Sequence, residues 1–184
     1  MAKRVLFVRH ALSVGNVWMK NNRRTFGSCP KDIPLSTLKE CELHHLPVQR
    51  CVGVAQAVAQ GQSLPASLIP SIQLLITSPL TRTIQTGYHM FTNYTGIVEL
   101  NELCSEKVNR WERTSQGHTL REVREIGRQR APLWYLRRQL NFSRLEALGE
   151  DFVWWDDGPE RADRRLKLFA KHLSARREEV IVVV

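Results

Sequence analysis

Long apolar runs are absent from the sequence, and so is any internal repeat or low-complexity tract. A membrane-spanning helix takes about 20 consecutive apolar residues, so no membrane partner is expected. The four cysteines form no CxxC pair, which argues against a zinc ribbon and against a disulfide framework. The N-terminal apolar run is too short for the core of a signal peptide and is interrupted by Arg9. These absences predict one cytoplasmic domain over residues 1–184.

Positive charge, by contrast, is plentiful. The 27 basic residues outnumber the 18 acidic ones, which gives a net charge of +9, and 20 of the basic residues are arginines. Guanidinium groups bind phosphate in a bidentate manner, so this excess suits an anionic ligand. The basic residues are interspersed with acidic ones and form no lysine–arginine block. No specific nucleic-acid partner is therefore expected, and a basic nucleic-acid-binding module is the weakest alternative.

Short apolar runs alternate with helical patterns along the chain. The first run has the composition of a strand buried on both faces, as in a parallel sheet. The strand candidates are 4–8, 72–77, 97–100 and 180–184. The helix candidates are 53–60, a helix that begins at Ser78–Pro79, 120–130 and 161–176, whereas 17–32 has the composition of a loop. The last helix is predicted to bury a stripe of Ala162, Leu166, Phe169, Ala170 and Leu173. The alternation predicts a three-layer α/β/α domain with a mainly parallel sheet.

Two of the predicted strands end in residues suited to an anion. In open parallel sheets, ligands bind beyond the carboxyl ends of the strands. Arg9 and His10 follow the first strand and combine a group that matches phosphate with an imidazole that can act as a nucleophile. Ser78 and Pro79 favour a helix start directly after the second strand, which places Arg82 in the first turn. A helix N-terminus binds anions, so the pattern predicts phosphoryl chemistry at this edge.

The order of the motifs resembles the histidine phosphatase superfamily, the phosphoglycerate-mutase-like group. The matching segments are Arg9–Asn16 (with Ala11 where the family has glycine), Pro34–Leu38 continued by Gly53–Ala57, Ser78–Thr86 and Leu100–Glu102. The stretch Glu160–Val184 is similar to the family's C-terminal part. The resemblance covers most of the chain and implies a phosphoglycerate-mutase-like fold.

The resemblance also implies a two-step phosphoryl transfer. His10 would be the nucleophile and would form a phosphohistidine that water then hydrolyses. Glu102 would be the general acid toward the leaving group and then the base for water. The phosphoryl oxygens would be bound by Arg9, Ser13, Asn16 and Arg82. No metal ion or other cofactor is implied, because the arginines and helix N-termini supply the positive charge.

Two departures from the family pattern bear on this expectation. The family has a second histidine directly after the last strand, whereas this sequence stops at Val184. The C-terminal end of the family domain is therefore expected to be missing, and losing one such electrostatic contact lowers the rate by about a hundredfold or more. Residues 39–52 interrupt the second motif and are predicted to be an insertion. Its Cys41, His44, His45 and Cys51 have no zinc-site spacing and are interpreted as loop residues.

The favoured function is a phosphatase that acts on a phosphorylated small molecule or a phosphoprotein. The main alternative is a catalytically silent phosphate-binding or interaction protein of the same fold, because the second histidine is lacking. A phosphoglycerate mutase is less favoured, since Gly15 stands where the mutases have a tryptophan. The groups that select the substrate are expected in 17–32 and 103–157, where the family pattern is loosest.

Overall fold

The computed structural model describes residues 3–21, 35, 52–106, 116–130, 140–155 and 159–184. The strands are β1 (Arg4–Phe7), β2 (Leu74–Thr77), β3 (Val98–Leu100), β4 (Leu140–Asn141) and β5 (Val180–Val183). The helices are α1 (Val14–Asn21), α2 (Gly53–Ser63), α3 (Leu68–Ser71), α4 (Thr81–Met90), α5 (Leu120–Arg130), α6 (Ser143–Leu148) and α7 (Pro159–Ala175), with a 3₁₀ turn at Glu102–Cys104. None of these described helices is long and apolar enough to cross a membrane.

The strands form one sheet in the order β1-β5-β2-β3-β4, and each pair of neighbours is parallel. Because successive side chains of a strand point to opposite faces, the apolar strands β2 and β5 supply two cores. One face packs Leu75, Val98, Val182 and Val184 against Met90 and Phe91 at the end of α4. The other packs Leu74, Ile76, Ile181 and Val183 against Phe169 and Leu173 of α7. The predicted three-layer α/β/α architecture with a mainly parallel sheet is confirmed.

Strand β1 differs from the prediction that both of its faces are buried. Within the described sheet it lies at one end and pairs with β5 alone. Phe7 is consequently 70% exposed, and Arg4 is exposed as well. The same apolar composition in β2 and β5 does give strands buried throughout, because each of those two has a neighbour on both sides.

Helix α1 occupies part of the segment that was expected to be a loop. Its start is fixed by a capping box between Ser13 and Asn16. The Asn16 N–H donates to Ser13 Oγ at 3.2 Å, and Asn16 Oδ1 accepts from the Ser13 N–H at 3.0 Å. The prediction for residues 17–21 is therefore wrong, since two residue types common in loops here begin a helix.

Helix α4 begins later than its Ser-Pro pair predicted. The Ser78 N–H donates to the Val184 carbonyl at 3.2 Å, so sheet pairing continues past β2 and delays the helix. Leu80 is still extended and serves as the N-cap, and the first helical residue is Thr81. Arg82 nevertheless lies in the first turn, as expected.

Helix α7 buries a different stripe from the predicted one. Leu166 is 56% exposed and Ala170 is exposed, whereas Arg165 is buried. The Arg165 guanidinium donates to the backbone carbonyls of Glu102 at 3.2 Å and Glu106 at 3.4 Å. A charged side chain replaces Leu166 in the stripe, and these carbonyls accept hydrogen bonds from two of its three nitrogens. The burial predicted for Ala162, Phe169 and Leu173 is confirmed.

Two further helices agree with the sequence. The helix over 120–130 is confirmed as α5, and the one over 53–60 extends to Ser63 as α2.

Some predictions fall outside the described residues. All but the last residue of the insertion predicted at 39–52 lies outside the described part of the chain. The same holds for Cys41, His44, His45 and Cys51.

Candidate active site

The ends of β1 and β2 meet at one cleft of about 190 Å³ at the carboxyl edge of the sheet. Among the described residues, its lining consists of Val8, Arg9, His10, Ser78, Leu80, Arg82, Thr83, Cys104, Glu106 and Val184. Three of the residues predicted for the site, His10, Arg9 and Arg82, are thus brought together from two separate motifs.

The backbone around His10 fixes which of its ring nitrogens can react. His10 Nδ1 lies 2.7 Å from the Ala11 carbonyl oxygen. Because a carbonyl only accepts hydrogen bonds, Nδ1 carries the hydrogen in the neutral ring and Nε2 carries the lone pair. The loop itself is held by its neighbours: the Ala11 N–H donates to Thr86 Oγ1 at 3.0 Å, and the Leu12 N–H donates to Gln56 Oε1 at 2.9 Å. The geometry therefore leaves the free lone pair of the neutral ring on Nε2.

The surroundings of His10 favour the neutral imidazole. Burial is the largest cause that lowers its pKa below 6.5, and the positive charges of Arg82 and Arg9 act in the same direction. The hydrogen bond to the Ala11 carbonyl and the negative charge of Glu106 oppose this shift without reversing it. At pH 7 the ring is therefore mainly neutral, the form in which one nitrogen has a free lone pair.

Arg82 is buried, and its guanidinium is paired with a carboxylate that sequence reasoning missed. Arg82 Nη2 donates to Glu106 Oε2 at 2.8 Å, and the Glu106 side chain is 53% exposed at the cleft wall. A guanidinium that binds a carboxylate here can bind a phosphoryl group in the same way. The one signal for Glu106 in the sequence is that it lies four residues after Glu102, which belongs to a motif of the resembled family.

Glu102, the predicted general acid, has different surroundings. Its side chain is 7% exposed, and Arg144 of α6 holds both of its oxygens. Arg144 Nε donates to Oε2 at 2.8 Å, and Nη2 donates to Oε1 at 2.7 Å. Glu102 is not among the described residues that line the cleft. Of the two carboxylates, the structure therefore places that of Glu106 in the described lining of the cleft with His10.

Ser13 and Asn16, the remaining predicted phosphate ligands, are engaged with each other. Besides the capping box described above, Ser13 Oγ donates to Asn16 Oδ1 at 2.9 Å. Ser13 is buried, and neither residue belongs to the described lining of the cleft. The structure does not bring this pair to the site, and their role as phosphate ligands stays a prediction.

Cys104 is the second potential nucleophile in the cleft. Burial is the largest cause that raises the pKa of its thiol to about 12, so the thiol stays protonated at pH 7 and is a weak nucleophile. Within the described residues, no three His, Cys, Asp or Glu side chains are grouped so that they could hold a metal ion.

A second, larger cleft of about 330 Å³ adjoins the first and shares Val8, Arg9 and His10 with it. Its other described lining residues are Phe7, Ala11, Gln56, Ala57, Gln60, Thr86 and Met90. His10 thus lies between two clefts. The first contains Arg82 and Glu106, whereas the residues that line only the second are apolar apart from Gln56, Gln60 and Thr86.

No protein-family model matches the chain, and no curated protein matches it. Several solved structures are similar to it, among them two that match it over its whole length. One is "a putative alpha-ribazole-5'-P phosphatase" from Escherichia coli str. K-12 substr. MG1655, with a TM-score of 0.54 and 19% identity over 100% of this chain and 73% of that chain. The other is Mycobacterial hydrolase 1, with a TM-score of 0.52 and 19% identity over 100% of this chain and 75% of that chain. The chain has the phosphoglycerate-mutase-like fold.

The phosphoglycerate-mutase-like fold is the one that the motifs implied, so the expected fold class is confirmed. In this chain, the fold explains how His10 and Arg82, which are 72 residues apart in the sequence, share a cleft. Strands β1 and β2 both pair with β5 in parallel, so their carboxyl ends, followed by His10 and by Arg82, lie at the same edge of the sheet.

Proposed function

We propose that the chain is a phosphatase of the histidine phosphatase superfamily and that it hydrolyses phosphomonoesters through a phosphohistidine on His10. The observation that carries this proposal is the cleft in which a neutral His10 of defined tautomer lies with Arg9 and Arg82. The proposed substrate is a phosphorylated small molecule or a phosphoprotein. That the protein works in the cytoplasm remains a prediction from its sequence.

In the first step, His10 Nε2 attacks phosphorus, and the bond from phosphorus to the ester oxygen breaks. The leaving oxygen takes a proton from a carboxylic acid, for which the sequence motif predicts Glu102. In the second step, a water oxygen attacks phosphorus and the N–P bond breaks. Inorganic phosphate and free His10 are released, and the carboxylate takes the proton of the water. Arg9 and Arg82 would neutralise the phosphoryl oxygens throughout, so this scheme requires no metal ion.

The test is hydrolysis of p-nitrophenyl phosphate by the full chain, by His10→Ala and by His89→Ala. His89 is a matched control because it is also a half-buried histidine, on α4, outside the described lining of the cleft. We expect His10→Ala to lower the rate about 1,000-fold or more, as removal of a nucleophile does, and His89→Ala to leave it nearly unchanged.

A denaturing acid quench would destroy a phosphohistidine, so labelled phosphate on the chain is sought after an alkaline quench. Its presence in the wild type and loss in His10→Ala would support the proposal. Equal hydrolysis by both chains would contradict it. Phosphate binding without turnover would favour the silent binding protein instead. Transfer of the phosphoryl group to an acceptor hydroxyl, with no release of inorganic phosphate, would indicate a mutase.

A further inference from the structure

We propose that Glu106, rather than Glu102, is the carboxylic acid of this reaction: it gives the proton to the leaving oxygen and then takes one from water. The inference rests on the proposed phosphatase function and assigns a catalytic residue to it. It comes from the different surroundings of two carboxylates that follow the same strand, β3.

Glu102 is poorly placed to exchange a proton. Both of its oxygens accept charge-assisted hydrogen bonds from Arg144, and the Glu102 side chain is largely shielded from solvent. Protonating such a carboxylate would break a bidentate pair and leave a half-buried guanidinium without its partner. Those contacts engage both oxygens of Glu102, and Glu102 is absent from the described lining of the cleft.

Glu106 has the opposite properties. It lines the cleft with His10 and is half exposed, so a substrate and a water molecule can reach it. Its negative charge is close enough to His10 to act on the imidazole. Glu106 is also placed by defined contacts, since its carbonyl accepts from Arg165 at 3.4 Å and the adjacent Ser105 hydroxyl lies 2.9 Å from the Ser78 hydroxyl.

The ion pair between Arg82 and Glu106 indicates how a bound substrate would favour the protonated form of Glu106. A phosphoryl group that binds Arg82 would replace the Glu106 carboxylate at Nη2. A carboxylate beside a phosphate dianion takes up a proton more readily, because the two negative charges repel each other. Glu106 would thus become a proton donor only when a phosphate ester occupies the cleft.

Over one turnover, Glu106 gives up one proton and takes up one proton. The protonated Glu106 gives its hydrogen to the ester oxygen as the P–O bond breaks, and it becomes a carboxylate. In the second step it takes the proton of the water that attacks the phosphohistidine, and it is again a carboxylic acid when inorganic phosphate leaves.

The experiment compares Glu106→Gln with Glu102→Gln on two substrates whose leaving groups differ. A dinitrophenolate leaves without a proton, whereas an alkoxide from an alkyl phosphate requires one. For Glu106→Gln we expect kcat/KM to fall about 100-fold or more on the alkyl phosphate, the usual effect of losing a general acid. On dinitrophenyl phosphate it should fall less than about threefold. The phosphohistidine should also accumulate in Glu106→Gln, because its hydrolysis lacks the base.

Glu102→Gln is the matched control, and we expect its effect on kcat/KM to be the same for both substrates. The opposite pattern, with the leaving-group dependence in Glu102→Gln, would overturn the proposal and assign the acid to Glu102. Equal losses on both substrates in Glu106→Gln would overturn it too, because a merely structural role does not depend on the leaving group. Should Glu102→Gln fail to fold, the ratio of the two substrates in Glu106→Gln decides alone.

Failure of the underlying function gives a different result. If the wild-type chain hydrolyses neither ester and forms no phosphohistidine, the proposed phosphatase function is wrong. If the wild type is active and Glu106→Gln behaves like it on the alkyl phosphate, only the assignment of Glu106 is wrong.

Discussion

Glu102 and Glu106 lie four residues apart after β3, each is paired with an arginine, and the two carboxylates differ mainly in burial. The Glu102 side chain is 7% exposed and bound through both oxygens, whereas that of Glu106 is 53% exposed at the wall of the cleft. A buried carboxylate that is bound through both oxygens keeps its partner in place, because breaking the pair would leave a buried charge without a counter-charge. A half-exposed carboxylate can leave its partner more easily, because water solvates the charge that is released. We therefore expect changes at the first pair to affect stability and changes at the second to affect activity.

The largest effect is expected from Arg144→Met, which leaves the buried Glu102 carboxylate without its partner. We expect the free energy of unfolding to fall by about 3 kcal/mol, measured by urea denaturation. Arg121→Met is the matched control, since Arg121 also binds its partner Asp151 through two nitrogens, at 2.8 and 3.0 Å, but on the surface. Equal changes in the two variants would show that burial does not distinguish the pairs.

The next effect is expected from Arg165→Met, which removes the guanidinium that binds the carbonyls of both Glu102 and Glu106. We expect a loss of about 2 kcal/mol in the free energy of unfolding, because two carbonyls lose hydrogen bonds to a charged donor. The variant should also lose activity, since Glu106 would no longer be held at the cleft. Arg164→Met, which changes the exposed neighbouring arginine, should alter neither property. A fully active Arg165→Met would show that this contact is not needed to position Glu106.

A smaller effect is expected in the titration of His10. NMR of the imidazole should give a pKa below 6.5 in the wild type, because burial and Arg82 disfavour the charged ring. In Glu106→Gln the pKa should fall further, since the Glu106 charge raises it in the wild type, whereas Glu102→Gln should change it less. An unchanged pKa in Glu106→Gln would place the carboxylate too far from His10 for the proposed role.

The same shift has a consequence for stability. An unfolded chain protonates this histidine at about pH 6.5, and the folded chain does so only at lower pH. Between these two values the unfolded state binds more protons, so the contribution of His10 to the free energy of unfolding decreases as the pH is lowered through that window. His10→Ala should flatten this part of the stability profile, measured by urea denaturation at several pH values.

The smallest effect is expected for the stability of Glu106→Gln. Water reaches the Glu106 side of its pair with Arg82, and the amide oxygen of Gln can still accept a hydrogen bond from the buried guanidinium. The free energy of unfolding should therefore change by less than about 1 kcal/mol. A loss as large as that of Arg144→Met would mean that the two pairs have the same structural role.

Much of the fold could be predicted from the sequence because local pattern and tertiary setting agree in it. The apolar runs of β2 and β5 indicate buried strands, and the polar helix α5 has the bounds that its pattern predicts. The composition of β1 is equally apolar, but composition does not say that a strand lies at the end of a sheet. A two-residue strand such as β4 is too short for any periodicity.

The site was predictable only where a residue type and its position agree. Arg9, His10 and Arg82 follow strand ends or begin a helix, and these places meet in any parallel sheet. Ser13 and Asn16 suit both a phosphate and a capping box, and residue type alone does not decide between the two uses. Arg144 and Glu102 are 42 positions apart in the sequence. No local pattern could therefore show that the carboxylate of Glu102 is bound by an arginine.

The position of β1 gives His10 a distinctive dynamic setting. Its four residues are joined to the described sheet through β5 alone, while β5 and β2 are held from both sides. Opening β1 therefore requires breaking one ladder of backbone hydrogen bonds and leaves the centre of the sheet intact. Amide hydrogen exchange should be faster in β1 than in β2 and β5. The segment that precedes His10 would then fluctuate independently of the centre of the sheet, which positions Arg82.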